Sequence, residues 1–308
     1  MKITIISIIG LIIIGLVSYT VAQMGHGMMR GGQMMEGMHD HSPVQYNPDF
    51  YSEDMRISRG GQLYDNWWKT TTTTLKPVDN HPLWSQQNVN KRKGYSTYRC
   101  KECHGWDYKG KDGAYAKGSH YTGFSGVYEA SQKKSVQELE GALKGSTNKE
   151  HDFSRYLSKE DISDLALFLK KGLINTDRYL DKKGNPIGGD VNSGAYLFNT
   201  NCAHMCHGGP GTMINFGKPD KPEFVGTIAN KNPWELIHKV RSGQPGTKMI
   251  SAIIDKWSDK DILDIAAYTR TLPKDLIEAK KFEGHMMSGE MGHHQSGIDT
   301  RGFGPFTK

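Results

Sequence analysis

The chain has 308 residues, with 39 Lys and Arg against 33 Asp and Glu and a net charge of +6. That length allows two ordinary domains, and a mean hydropathy of −0.61 makes the body polar rather than membrane-embedded. The positive charge is spread out and no nucleic-acid motif accompanies it, so it suits an acidic protein surface better than nucleic acid. The basic run Lys91-Arg92-Lys93 reads as a solvated loop.

Lys2 opens an almost wholly apolar run, Ile3 to Val17, and Thr20-Val21-Ala22 then offers small residues before Gln23. This predicts a signal peptide over 1–22. The run is slightly long for a signal and slightly short for a span. A cleaved signal is favoured over a retained anchor, and a membrane is a partner only if the segment stays. Either way the body is exported, which places it in the periplasm. Residues 23–45 are rich in Met, His and Gly, including Met24, Met28, Met29, His26, His39 and His41. They lack helical or strand periodicity and are predicted to be disordered. Thioethers suit Cu(I) and imidazoles Cu(II), so transient copper binding is a candidate role. A low-complexity flank of chance composition is the simpler reading.

The first domain is predicted over 46–175. It begins with a helix from Ser52 to Lys69 that includes Gly60-Gly61-Gln62-Leu63-Tyr64. An insertion follows, Thr70 to Arg99, with five consecutive threonines and His81-Pro82-Leu83-Trp84. It reads as a long ordered loop, with Trp67, Trp68 and Trp84 as packing residues. Next comes Cys100-Lys101-Glu102-Cys103-His104. This CxxCH pattern is the attachment signature of c-type haem: two thiols add to the vinyl groups of one haem, and the adjacent His faces the iron. Half of a zinc site or a redox dithiol are the plainer readings. The second needs a βαβ context, which the sequence lacks. Two helices complete the domain. Ser135 with Glu138, and Ser158 with Asp161, begin them as capping boxes, and the first ends at Gly145.

The second domain is predicted over 185–275 and repeats the first. A helix from Ser193 to Phe198 runs straight into Cys202-Ala203-His204-Met205-Cys206-His207, a CxxxCH with one extra residue. His204 and Met205 inside it are themselves metal-ligand types. The two motifs use all four cysteines. A helix from Asn232 to Gly243 matches the one from Ser135. Trp257 to Thr269, with Ser258 and Asp261, matches Leu157 to Leu169. Residues 276–308 form a second Met/His-rich tail, including His285, Met286, Met287, Met291, His293 and His294. It too is predicted to be disordered and a candidate copper ligand.

The order helix, haem motif, Gly-rich loop, helix, loop, C-terminal helix resembles the class I cytochrome c fold, and 52–273 resembles a tandem dihaem cytochrome c. The fold class implied is all-α, with two covalently bound haem c groups. The resemblance implies a glycine-and-aromatic crossing of first and last helices. Gly194 and Phe198 with Tyr268, and Gly61 and Tyr64 with Phe168, fit those places. His104 and His207 are the implied proximal ligands. In such domains the sixth iron ligand precedes the last helix. In the second unit Met249 stands there. Its rivals outside the tails are Met55, Met205 and Met213, and a core methionine is the plainer reading. The first unit has no methionine from Tyr108 to Thr200. The units are offset by 97 residues at Ser135 and Asn232 and by 100 at Ser158 and Ser258, and His151 to Met249 is 98. His151 is therefore the implied partner of His104. His120 is the rival, and a surface histidine is the alternative for each.

Two haems with both axial positions filled leave no open site for substrate. The expected function is electron transfer between respiratory redox partners, free or as a cytochrome subunit of an oxidoreductase complex. A dihaem enzyme, peroxidase-like or sulfur-compound oxidising, is the alternative, and a metal-handling protein is a third.

Overall fold

Three serines begin helices by the same device. Ser135, Ser158 and Ser258 each accept the backbone N–H of the residue three places on, and the acid there, Glu138, Asp161 or Asp261, takes the serine's own N–H. Each box closes two donors that a helix start leaves open. The computed structural model describes residues 46–71 and 75–287. The helices in chain order are α1 (Glu53–Thr70), α2 (Cys100–His104), α3 (Tyr128–Lys133), α4 (Val136–Leu143), α5 (Lys159–Leu167), α6 (Val191–Phe198), α7 (Val225–Lys231), α8 (Pro233–Ser242), α9 (Asp259–Thr269) and α10 (Leu276–Met287). Among the described residues only isolated bridges interrupt this all-helical pattern. Residues 1–45 and the end of the C-terminal tail, with their copper and targeting readings, lie outside the described residues.

Each half is organised by one helix crossing, α1 on α5 and α6 on α9. A Cβ at Gly194 would overlap the Asp264 carbonyl and stand 2.8 Å from the Cβ of Tyr268. The matching position in the first half is Gly60, not Gly61. A Cβ at Gly60 would overlap the Asp164 carbonyl and stand 2.5 Å from the Cβ of Phe168. Gly61 faces another way: a Cβ there would overlap the Ser242 hydroxyl and come 2.6 Å from its Cβ. One glycine closes the crossing inside the first half and its neighbour lets α8 of the second half approach.

Both crossings bury an aspartate. Asp164 accepts from Arg56 Nε at 2.7 Å, from Arg59 at 3.0 Å and from the Tyr46 hydroxyl. Asp264 accepts the Asp190 N–H at 2.8 Å and Lys260 Nζ at 2.5 Å. A buried carboxylate without such partners would be costly, so the crossing and its cations come as one unit.

The two halves share a polar seam. The Ser58 hydroxyl and Gln62 Nε2 both donate to the Ser242 carbonyl at 3.0 Å. Arg241 donates to the Gly172 carbonyl at 2.7 Å. Lys239 pairs with Asp65 at 2.8 Å, and Arg99 pairs with the same carboxylate. Burial works against the charge of Asp65, but these cations hold its pKa down to about 2. His238, 1% exposed, has Tyr108 on one nitrogen at 2.8 Å and the Gly61 carbonyl on the other at 3.0 Å.

The insertion is ordered where described. It carries 3₁₀ turns at Pro82–Gln86 and Gly94–Tyr98. Trp84 is buried and donates Nε1–H to the Arg92 carbonyl at 3.1 Å. Trp67, fully buried, donates to the Tyr98 carbonyl at 3.2 Å. Lys91, Arg92 and Lys93 are exposed, as a solvated loop requires, and Arg92 in addition places its Nε 2.8 Å from the buried Glu102 carboxylate of the haem motif. The C-terminal tail also needs correction. Residues 276–287 are helical rather than disordered, because Asp275 caps α10 by accepting the Ile277 and Glu278 N–H groups at 2.9 Å, while Ala279 is buried. Among the described residues no helix is long and apolar enough to cross a membrane.

Candidate haem sites

In the first half, α2 is the CxxCH run itself, a single α-helical turn that ends on Gly105 at φ +77°. An i, i+3 spacing puts Cys100 and Cys103 on one face of that turn. The turn is held from both sides. Gly105 donates to the Lys101 carbonyl at 3.0 Å, and its own carbonyl accepts the Tyr64 hydroxyl of α1 at 2.6 Å. Burial pushes the Cys100 and Cys103 thiols up to about 12.

His104 and His151 are brought together, with ring centres 6.2 Å apart and ring planes at 76°. Two imidazoles on opposite sides of one metal ion require about 6 Å, from a metal–nitrogen bond near 2 Å and about 1 Å more to each ring centre. The hydrogen bonds select the nitrogen. His104 Nδ1 lies 2.7 Å from the Ser125 carbonyl and His151 Nδ1 lies 3.3 Å from the Ala142 carbonyl. A carbonyl can only accept, so each Nδ1 carries the proton and each Nε2 keeps its lone pair. Burial, then the neighbouring His151, lowers the His104 pKa to about 4 against the Ser125 bond, and burial lowers that of His151. Both rings are therefore neutral donors at pH 7. His151 is held in a 3₁₀ turn that Asn148 begins. These residues fit a haem c in donor type, spacing and tautomer.

His120 belongs to another neighbourhood. Its ring stacks on Tyr115 at 4.8 Å, and the charges felt by both rings include Glu102, Arg92 and Glu235. His81 is the residue that sequence reasoning passed over. It is buried beside the pair, 6.2 Å from His151, 5.6 Å from Phe153 and 4.8 Å from Tyr98 between ring centres. The only sequence signal was a histidine just before a proline inside the insertion.

In the second half, α6 continues into a π-helical run, Asn199–His207, that ends on Gly208 at φ +70°. Gly208 donates to the Ala203 carbonyl at 2.9 Å. Ala203 follows the first cysteine just as Lys101 does in the first motif. The extra residue of CxxxCH is thus taken up by one wider turn, and both ends of the motif keep the relation they have in α2. Cys202 is half-buried and Cys206 exposed. Burial pushes the Cys202 thiol up to about 11. His207 has Phe198 and Phe216 as ring neighbours at 6.3 and 6.1 Å, burial lowers its pKa, and its Nδ1 is buried without a partner. Met249 is half-buried in the loop after Gly243, whereas Met205 and Met213 are 86% and 66% exposed. The cysteines and His207 fit a second haem c in donor type and order.

Two stretches match families of known proteins. Residues 92–172 match cytochrome c, and residues 189–268 match subunit III of cbb3-type cytochrome c oxidase. No curated protein and no solved structure matches the chain. Both matches imply covalently bound haem c and support a c-type cytochrome with an electron-transfer role. The chain is all-helical where described and carries two cytochrome c domains, one around each haem motif.

Proposed function

We propose that this chain is an exported dihaem c-type cytochrome that carries electrons between redox partners in the periplasm. Cys100 and Cys103 would hold one haem, with His104 and His151 as its imidazole donors, and Cys202 and Cys206 would hold the other, with His207 and Met249 as donors. The observation that carries this reading is the His104–His151 pair, 6.2 Å apart, with both Nδ1 positions engaged by carbonyls. Haem c, when bound, supplies a one-electron iron couple.

The protein's own part is to fix ligands and exclude water. Ser125 and Ala142 orient the two imidazoles, and Phe153 and His81 close in beside His151, with Tyr98 packed on both of them. A thioether ligand raises haem potential relative to imidazole, so Met249 at the second site and His151 at the first would give the Cys202/Cys206 site the higher potential. The net charge of +6 suits an acidic partner. With both axial positions taken in each site, no coordination position is left for a substrate.

A haem-stained denaturing gel with intact mass counts the haems and reports signal cleavage. Ligation is tested by spectra of the oxidised protein. One haem should show the weak far-red sulfur-to-iron band and the other should not. Met249→His should abolish that band and lower one potential only, and His151→Met should raise the other. Unchanged spectra and potentials in His151→Ala would remove His151 and make His120 the next residue to test.

A further inference from the structure

The first site contains three imidazoles, but their hydrogen bonds are not alike. His104 and His151 offer Nδ1–H to carbonyls, which leaves the Nε2 lone pair for a metal. His81 does the reverse. It begins the Pro82–Gln86 turn, and its Nδ1 accepts the Leu83 N–H at 3.2 Å. A nitrogen that accepts holds its lone pair, so the proton of the neutral ring sits on Nε2. In this tautomer Nε2 cannot ligate a metal. It can only donate.

The position is built rather than incidental. His81 donates its backbone N–H to Thr97 Oγ1 at 2.8 Å, and Thr97 Oγ1 donates in turn to the Gly94 carbonyl at 2.7 Å. The insertion is fastened to the haem motif by Arg92 and Glu102. The His81 ring is packed by Tyr98, Phe153 and His151 and the residue is 7% exposed. No described residue accepts from its Nε2–H. A donor that no described residue engages is available to an acceptor from outside the chain.

We infer that His81 is a positioning residue of the first haem site, donating Nε2–H to an anionic oxygen beside the His151 ring. This rests on the reading that His104 and His151 are the axial pair. The acceptor is a carboxylate-type oxygen with two possible sources: a haem propionate, or a small oxyanion held in the open cavity of about 560 Å³ on the insertion. That cavity is lined by His81, Asn80, Asn90, Arg92 and Lys93, and Asn90 Nδ2 is buried there without a partner. A donor that offsets negative charge near the iron favours the reduced state. Removing it lowers the potential of that haem and leaves the other alone.

Two variants of the holoprotein separate donation from mere packing. H81N retains a side-chain oxygen to cap Leu83 but draws the donor back by one bond. H81Q loses the short cap geometry but keeps an amide N–H at similar reach. Redox titration followed in the visible region should show H81N with the lower-potential haem shifted down and the higher one unmoved, and H81Q close to the parent. T97V, which frees the His81 backbone N–H and the Gly94 carbonyl but leaves the His81 ring its own partners, should leave both potentials in place. Titration with and without added sulfate identifies the source. A propionate acceptor gives a shift that ignores sulfate. An oxyanion acceptor gives a parent potential that responds to sulfate and an H81N potential that does not. An unmoved potential in H81N, or equal shifts in H81N and H81Q, overturns the inference. Failure of the underlying reading is distinct: the parent would then lack the electron paramagnetic resonance signature of a haem with two imidazole ligands.

Discussion

His238 makes the junction between the two halves sensitive to acid. Its ring accepts from the Tyr108 hydroxyl at 2.8 Å and donates to the Gly61 carbonyl at 3.0 Å. Both nitrogens are used only if the ring is neutral. Burial, the largest influence, carries its pKa from the ordinary 6.5 to about 4; Asp65 resists this shift, and Lys239 and Arg241 add to it. A histidine whose folded pKa is depressed binds its proton more readily when unfolded. Its contribution is therefore complete at pH 7, begins to fade near pH 6.5, and is lost by about pH 4. At 1.36 kcal/mol per unit, the shift amounts to about 3 kcal/mol. His238→Leu removes this dependence. It also removes the ring's hydrogen bonds to Tyr108 and to the Gly61 carbonyl, each worth about 0.5–1.5 kcal/mol at pH 7. The measurement is urea unfolding of the holoprotein at pH 7 and pH 4, parent against variant. The gap between the two should narrow by about 3 kcal/mol on acidification. A gap of constant size would show that His238 is not the buried neutral group described here.

Gly60→Ala should prevent the α1–α5 crossing and yield little folded protein, because the new methyl meets the Asp164 backbone. Gly61→Ala should cost about 1–3 kcal/mol and be rescued by Ser242→Gly, because its clash is with a side chain; a double-mutant cycle in urea measures the coupling. Asp164→Ala removes the carboxylate that Arg56 and Arg59 share, leaving Arg59 with Asp161 and Arg56 with the Ser163 hydroxyl, and should cost about 3 kcal/mol, seen as a lower urea midpoint with both haems retained.

Much of this architecture is legible in the sequence because its signals are local. Capping boxes at Ser135, Ser158 and Ser258, glycine stops at Gly145 and Gly243, and the repeated spacing of the last helices all act within one turn of chain. Register favours His151 over His120, and the structure places the His151 ring 6.2 Å from that of His104 and stacks His120 on Tyr115. What escaped depends on direction in space. Gly60 and Gly61 are adjacent, and about 100° of helical rotation decides which meets Asp164 and which meets Ser242. His81 lies 23 residues before His104, at a distance where no periodicity operates. The role of Arg92 needed its buried partner Glu102, which composition reads only as another exposed acid.

The extra residue of CxxxCH need not weaken the second site. An insertion inside a helix must either rotate everything after it or be absorbed where it falls. Rotation would carry His207 around the axis relative to Cys202, away from the place His104 holds relative to Cys100. The structure absorbs the residue: the closing hydrogen bond still joins the glycine after the histidine to the residue after the first cysteine, Gly105 to Lys101 in one motif and Gly208 to Ala203 in the other. Both glycines take the same left-handed conformation, φ +77° and +70°. Widened turns of this kind are commonly found at functional sites. Deleting Ala203 or His204 should therefore convert the run to an α-helical CxxCH turn and leave haem attachment intact, as read by haem stain and intact mass. Loss of the second haem in both deletions would show that the wide turn is required for attachment rather than tolerated by it.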